Sequence, residues 1–179
     1  MITGGKIKLN KIVVGFVGGE TNLDRAIKYF SDSEEYDITH AFTMILNSTC
    51  ESRGIKEKSD PYAGVWLHSP DKFCTDSTAR FIELDIPNIH GAENMARFLI
   101  GSAYGFSSCL AFFLKKVFGI NFPDNKHSCN CSETQALILR AGGLDVYPNM
   151  NVNEISPLQM FQWVMQHGGI DVTWRYRHK

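Results

Sequence analysis

Two residues far apart in this chain have the types and settings that thiol chemistry requires. Cys131 stands in Asn130-Cys131-Ser132-Glu133, where a helix is expected to begin. A cysteine attacks as its thiolate, and both the unpaired amides of a helix start and a neighbouring imidazolium favour that anion. His40 interrupts the otherwise apolar face Ile38, Phe42, Met44 and Leu46 of an expected strand. An imidazole buried there must find a polar partner, and the thiol of Cys131 is the candidate. The pair would serve a cysteine hydrolase or acyltransferase whose general base precedes its nucleophile in the chain. The backbone amide of Cys131 would then face the developing oxyanion. The bland alternative is a small buried cysteine and a core histidine with a satisfied hydrogen bond.

A third group normally orients such an imidazole. Glu83 is the first candidate, because a neighbouring strand could place its carboxylate beside the far ring nitrogen. Asp85 shares its face, while His90 and His68 sit in expected turns. Metal binding competes for the same cysteine: His127, Cys129 and Cys131 alternate and could borrow Cys109 or Cys74. The paired knuckles of structural zinc are missing from the sequence, so no metal is expected. Gly15-Phe16-Val17-Gly18-Gly19 follows a strand but matches no nucleotide fingerprint, and no cofactor is expected.

The elements that must position these groups are readable from periodicity. Lys11 to Phe16 is a short apolar run, closed by Gly18-Gly19. Asn22 caps an expected helix carrying Leu23, Ile27 and Phe30, and an acidic loop from Ser31 to Glu35 ends it. Tyr36 to Leu46 alternates as a strand, Asn47 to Pro61 is polar and reads as a surface loop, and Ala63 to Leu67 is a further strand. Arg80 to Ile86 alternates again until Pro87 stops it. Helices are expected from Ala92 to Ile100 and from Phe106 to Phe118. Asn130 and Glu133 form a capping-box pattern for a helix ending at Gly142-Gly143. Ser156-Pro157 opens the last helix, which should bury Leu158, Phe161 and Met165, before Ile170, Val172, Trp174 and Tyr176 alternate as a final strand. The sum is an α+β domain over residues 1–179, with a small, mainly antiparallel sheet packed beside helices.

Composition narrows the function classes. The 179 residues carry 18 basic and 19 acidic side chains, a net charge of -1, which argues against non-specific nucleic-acid binding. The basic, aromatic tail Trp174 to Lys179 fits an edge strand better than an RNA-binding arm. No apolar run reaches the length of a membrane span, and Met1 to Asn10 lacks the core of a signal peptide. Five irregularly spaced cysteines suit a reducing compartment with free thiols. The default expectation is therefore a cytoplasmic protein, with delivery inside a virus particle as the other setting.

The same residues resemble the circularly permuted NlpC-like branch of the papain fold, which includes YiiX-like hydrolases and the lecithin-retinol acyltransferase group. Asp37-Ile38-Thr39-His40-Ala41-Phe42 is similar to the histidine strand of that group, and Asn130-Cys131-Ser132-Glu133 to its Cys-Ser-Glu nucleophile motif. Phe81-Ile82-Glu83 resembles the strand in which many members carry a glutamate, and Ile155-Ser156-Pro157-Leu158 their late helix start. The likeness runs from Ile12 to Met165 in the family's order, although the stretch between His40 and Glu83 is long and unmatched. Tyr104-Gly105 stands where many members have Tyr-Asp; Tyr104 and Asn130 are the residues expected on the substrate side. The resemblance implies a permuted papain-like fold and an acyl-enzyme on Cys131. It also implies a peptide, peptidoglycan-stem or lipid-acyl substrate, with amide cleavage favoured. Acyl transfer by the same pair, or a non-catalytic binding or assembly module, are the alternatives.

Overall fold

A computed structural model describes residues 10–19, 37–105 and 128–177. The helices expected at 22–30 and 106–118, the acidic loop between them and the sheet, and His127 and Cys109 lie outside the described residues. The apolar runs of period two form β1 (Asn10–Val17), β2 (His40–Ile45), β4 (Val65–His68) and β5 (Arg80–Ile86). Together with β3 (Ser48–Ser52) and β8 (Ile170–Asp171) they make a six-stranded antiparallel sheet in the order β4-β3-β2-β1-β5-β8.

Both faces of this sheet are covered, which is why β1 and β2 are apolar on both sides. One face presents Ile12, Val14, Ile82 and Leu84 to the main core, where helices supply Ile138, Leu139 and Met160. The other face carries a smaller cluster of Val17, Phe42, Phe73, Phe81 and Val172. Phe42 is its hinge, stacked on Phe73 at 4.3 Å and edge-on to Phe81 at 5.6 Å. Gly15 permits this arrangement, because a Cβ there would lie 1.9 Å from the Phe42 ring.

Three α-helices are described. In α1 (Ile89–Leu99) the Asn88 side chain accepts from the Gly91 amide. In α2 (Cys131–Ala141) Asn130 and Glu133 complete a reciprocal capping box. In α3 (Pro157–Gln166) Ser156 and Gln159 do the same, with proline in the first turn. A two-stranded parallel pair, β6 (Ala103–Tyr104) with β7 (Ser128–Cys129), leads the chain into α2. Among the described residues no helix is long and apolar enough to cross a membrane.

Several sequence expectations need correction. β2 starts at His40 rather than Tyr36. The polar stretch 47–61 is not simply a surface loop, because it opens with β3. Leu46 and Asn47 both have φ 55°, the twist of a two-residue hairpin turn, and Ile45 pairs with Ser48 across it. Leucine conceals that turn, since non-glycine residues at positive φ are uncommon. Met165 is half-exposed instead of buried. The final strand stops after Asp171, and Thr173–Arg175 forms a 3-10 turn with Trp174 exposed. Asp171 Oδ1 accepts from the Thr173 amide at 2.9 Å, and Thr173 Oγ1 accepts from the Phe81 amide at 3.0 Å. These side chains offer the backbone an alternative to the ladder and end it.

Candidate active site

The start of α2 is held from three sides. Asn130 Oδ1 accepts from the Glu133 amide at 2.8 Å, while the Asn130 amide donates to Glu133 Oε2 at 3.1 Å. Ser132 Oγ donates to the Ile155 carbonyl at 2.5 Å. Ser52 Oγ, at the end of β3, donates to the Cys129 carbonyl at 2.6 Å. Further along α2, Gln135 donates to the Ala41 carbonyl at 3.4 Å and accepts from Thr43, which fixes the helix on β2. Cys131 is thereby held in the first helical turn.

β2 and β3 pair only as far as Phe42 and Glu51, and the Cys131 sulfur approaches just beyond that point. There it meets the amide of Ala41, the amide of Ser132 and the imidazole of His40. Burial alone would push the thiol up, but the His40 imidazolium and the two amides outweigh it and hold the Cys131 pKa below its ordinary value. On the other side of the ring, His40 Nε2 lies 2.7 Å from Glu51 Oε2. With Nε2 engaged there, Nδ1 is the ring nitrogen left for Cys131. Burial disfavours the imidazolium, yet hydrogen bonds to Cys131 and Glu51 raise the His40 pKa to about 9.

Glu51 completes the array and was missed by the sequence reading. Its side chain is 0% exposed. Burial would raise its pKa, but His40 and then Lys72 lower it to about 2, so it stays an anion. Lys72 Nζ bonds Glu51 Oε1 and, at 2.5 Å, Glu57 Oε1; Arg53 also pairs with Glu57. His68 Nε2 is 3.4 Å from Glu51 Oε1 and 3.8 Å from Asp60 Oδ2. The available signal for Glu51 was the alternation Thr49/Glu51 against Ser48/Cys50/Ser52 after Asn47, a residue that tolerates positive φ.

The structure thus brings Cys131 and His40 together and leaves the expected third residue elsewhere. Glu83 sits on β5, 2.9 Å from Arg175 and 3.7 Å from Lys11, and Asp85 is 2.7 Å from Lys11. His90 is exposed on α1 beside Glu93. Of the two histidines weighed as a third group, His68 reaches the array, on the far side of Glu51, and His90 does not. Tyr104 is buried in β6, paired in register with Cys129, two residues before the thiol. The Asn130 side chain is buried and bonded to Glu133, Ser132 and Asn153.

The described cysteines Cys50, Cys74, Cys129 and Cys131 are all buried and in the reduced form, none of them in a disulfide. Cys74 belongs to the smaller core cluster and Cys129 to the main one. Among the described residues, the side chains that could share a metal ion are Glu57, Asp60 and His68, whose ligand atoms lie within 4.8 Å of one another. The ammonium of Lys72 already occupies Glu57 there, so a cation is built into this cluster. Comparison with protein-family models, curated proteins and solved structures finds no match to the chain.

Proposed function

We propose that the chain is a cysteine hydrolase of the permuted papain-like kind, cleaving an amide or ester through an acyl-enzyme on Cys131. The observation that carries this is the Cys131–His40–Glu51 array, with its 2.7 Å contact between His40 Nε2 and a buried carboxylate. The Cys131 thiolate attacks the carbonyl carbon of the substrate, and the electron pair of the C=O bond moves to oxygen. The backbone amide of Cys131, at the first position of α2, stabilises that oxyanion, the Glu133 and Thr134 amides being taken up by Asn130. The carbonyl re-forms as the bond to the leaving amine or alcohol breaks, and His40 gives that group its proton. His40 then takes a proton from a water that attacks the thioester carbonyl; collapse of that adduct breaks the C–S bond, releases the carboxylic acid and restores the thiolate–imidazolium pair. Glu51 holds the ring in the tautomer that both steps need.

The α+β architecture, the base-before-nucleophile order and the capped helix start support the permuted papain-like reading. By the same reasoning the substrate is a peptide, peptidoglycan-stem or lipid-acyl group, with amide cleavage favoured. The test is trapping with peptidyl and fatty-acyl electrophiles, followed by peptide mass spectrometry. A single adduct on Cys131, lost in His40→Ala, is the expected result, and the preferred probe names the acyl class. Labelling of Cys131 no faster than that of an unperturbed thiol, with every probe, would overturn the proposal.

A further inference from the structure

We propose that Lys72 is a positioning residue for the Cys131–His40–Glu51 array, its ammonium pinning one oxygen of Glu51 so that the other stays on His40. The inference rests on the hydrolase reading and specifies what holds its carboxylate.

The geometry divides the two oxygens of Glu51 between His40 on one side and, on the other, Lys72 with the more distant His68 Nε2 at 3.4 Å. Oε2 faces His40 Nε2 at 2.7 Å, and Oε1 is bonded by Lys72 Nζ. The terminal torsion of a glutamate is broad, so a carboxylate held only by His40 could rotate about it. A second cation on the other oxygen removes that freedom. A buried carboxylate with a single partner is also prone to protonate, and a neutral Glu51 would no longer stabilise an imidazolium.

Lys72 is itself well anchored. Glu57 Oε1 accepts from its Nζ at 2.5 Å, and the Lys72 amide donates to the Ser69 carbonyl at 3.1 Å. Its ammonium lies 5.5 Å from the Phe73 ring centre. Phe73 stacks on Phe42 and approaches the His40 ring at 6.1 Å. The turn carrying Lys72 and Phe73 therefore touches both members of the His40–Glu51 pair. Around Glu51 the charged and titratable groups are His40 from β2, Cys50 from β3, His68 from β4, Lys72 from the turn, and Glu57 and Asp60 behind His68 and Lys72.

The test uses iodoacetamide alkylation of Cys131 across pH, resolved from the other four cysteines by peptide mass spectrometry. In the unaltered protein, rapid alkylation should extend well below the pH at which an ordinary thiol ionises. Lys72→Met removes a positive charge that favours the thiolate, and it loosens Glu51, which weakens the imidazolium beside that thiolate. The acid limb should move up by about one pH unit, a tenfold loss of rate on that limb. Lys72→Arg keeps the charge and should restore the limb. Lys72→Gln, neutral but still a hydrogen-bond donor, replaces Lys72→Met if that variant does not fold, with the same shift expected. A merely structural lysine would lower the thermal midpoint and leave the limb in place. An unmoved limb in the folded neutral variant overturns the proposal. Ordinary reactivity of Cys131 in the unaltered protein would instead sink the hydrolase reading beneath it, so the two failures are distinct.

Discussion

Replacing Glu51 with glutamine isolates what the buried carboxylate contributes. The rise of the His40 pKa from 6.5 to about 9 corresponds to roughly 3 kcal/mol in favour of the imidazolium. Hydrogen bonds to Cys131 and to Glu51 supply that gain against the cost of burial, so neither anion alone accounts for it. Glutamine keeps the shape and can still accept from the ring, but it removes the charge. An opposite charge at this range moves a pKa by about 1 to 3 units. The imidazole of Glu51→Gln should therefore titrate about 1 to 2 units lower, returning toward neutrality.

The assay is an NMR titration of the His40 Cε1–H signal, assigned by its loss in His40→Ala. Glu51→Gln should also lose thermal stability, because removing one partner from a buried ion pair costs about 3 to 5 kcal/mol and leaves Lys72 with Glu57 alone. The titration is therefore run below the variant's own midpoint, where the fold is intact. Glu83→Gln is the companion, as its carboxylate meets Arg175 and Lys11 and not the ring. An unchanged His40 titration in Glu51→Gln, or a large fall in Glu83→Gln, would refute the assignment of Glu51.

Other outcomes follow from the same structure. Between about pH 4.5 and 6.5 the His40–Glu51 pair should contribute its full stability. Above 6.5 the lowered Cys131 thiol, whose own contribution is complete only above its ordinary value of 9.0, offsets the imidazolium's loss, so the thermal midpoint should hold to about pH 9 and fall beyond it. The imidazolium's contribution is complete below 6.5 and is lost as pH rises through about 9, while the carboxylate's is complete above 4.5 and is lost as pH falls through about 2. His40→Ala should flatten the alkaline side of that profile. Asn130→Ala removes the cap of α2 and should cost about 1 kcal/mol in chemical denaturation, with a fall in Cys131 alkylation because the helix start loosens. Gly15→Ala forces the Phe42 ring toward Phe73 and should cost about 1 to 3 kcal/mol, again lowering alkylation of Cys131.

What could be read in the sequence was whatever short-range chemistry decides. Asn130 with Glu133 and Ser156 with Pro157 announce their helices because a cap is a matter of three or four consecutive residues. β5 is bounded as expected, since Arg80 to Ile86 alternates cleanly and Pro87 cannot continue the ladder. β3 was hidden for the opposite reason. Ser48 to Ser52 is polar in every side chain but one, yet its Thr49, Cys50, Glu51 and Ser52 are all buried. Its burial comes from the strands on either side and from the cations brought to Glu51, and none of that is local to the pentapeptide. The pairing of Cys131 with His40 was legible because each residue sat awkwardly in its own element and each needed a partner.

The choice between Glu51 and Glu83 was settled by sheet order, which a sequence does not display. Glu51 is opposite Phe42, so it shares the face of His40 and stands diagonal to it on the adjacent strand. Diagonal neighbours of that kind are about 7 to 8 Å apart and within reach of long side chains. Glu83 is opposite Val13, and Val13 is opposite Met44, so Glu83 lies on the same face as His40. It is nevertheless two strands away, roughly 10 Å across the sheet, and level with Met44, four residues and about 13 Å along β2. No glutamate side chain spans that distance. The face was right and the strand was wrong, because the hairpin at Leu46-Asn47 puts β3, and not β5, beside the histidine strand. The same geometry restricts any replacement for Glu51. A carboxylate moved to position 53, directly across from His40 in the extended register, would lie beyond the last β2–β3 pair, where the Cys131 sulfur enters. It would meet the thiol as well as the ring, and two anions there would raise the thiol pKa. Glu51→Gln combined with Arg53→Glu should therefore fail to restore low-pH alkylation of Cys131; restoration would mean that proximity to His40 alone is enough.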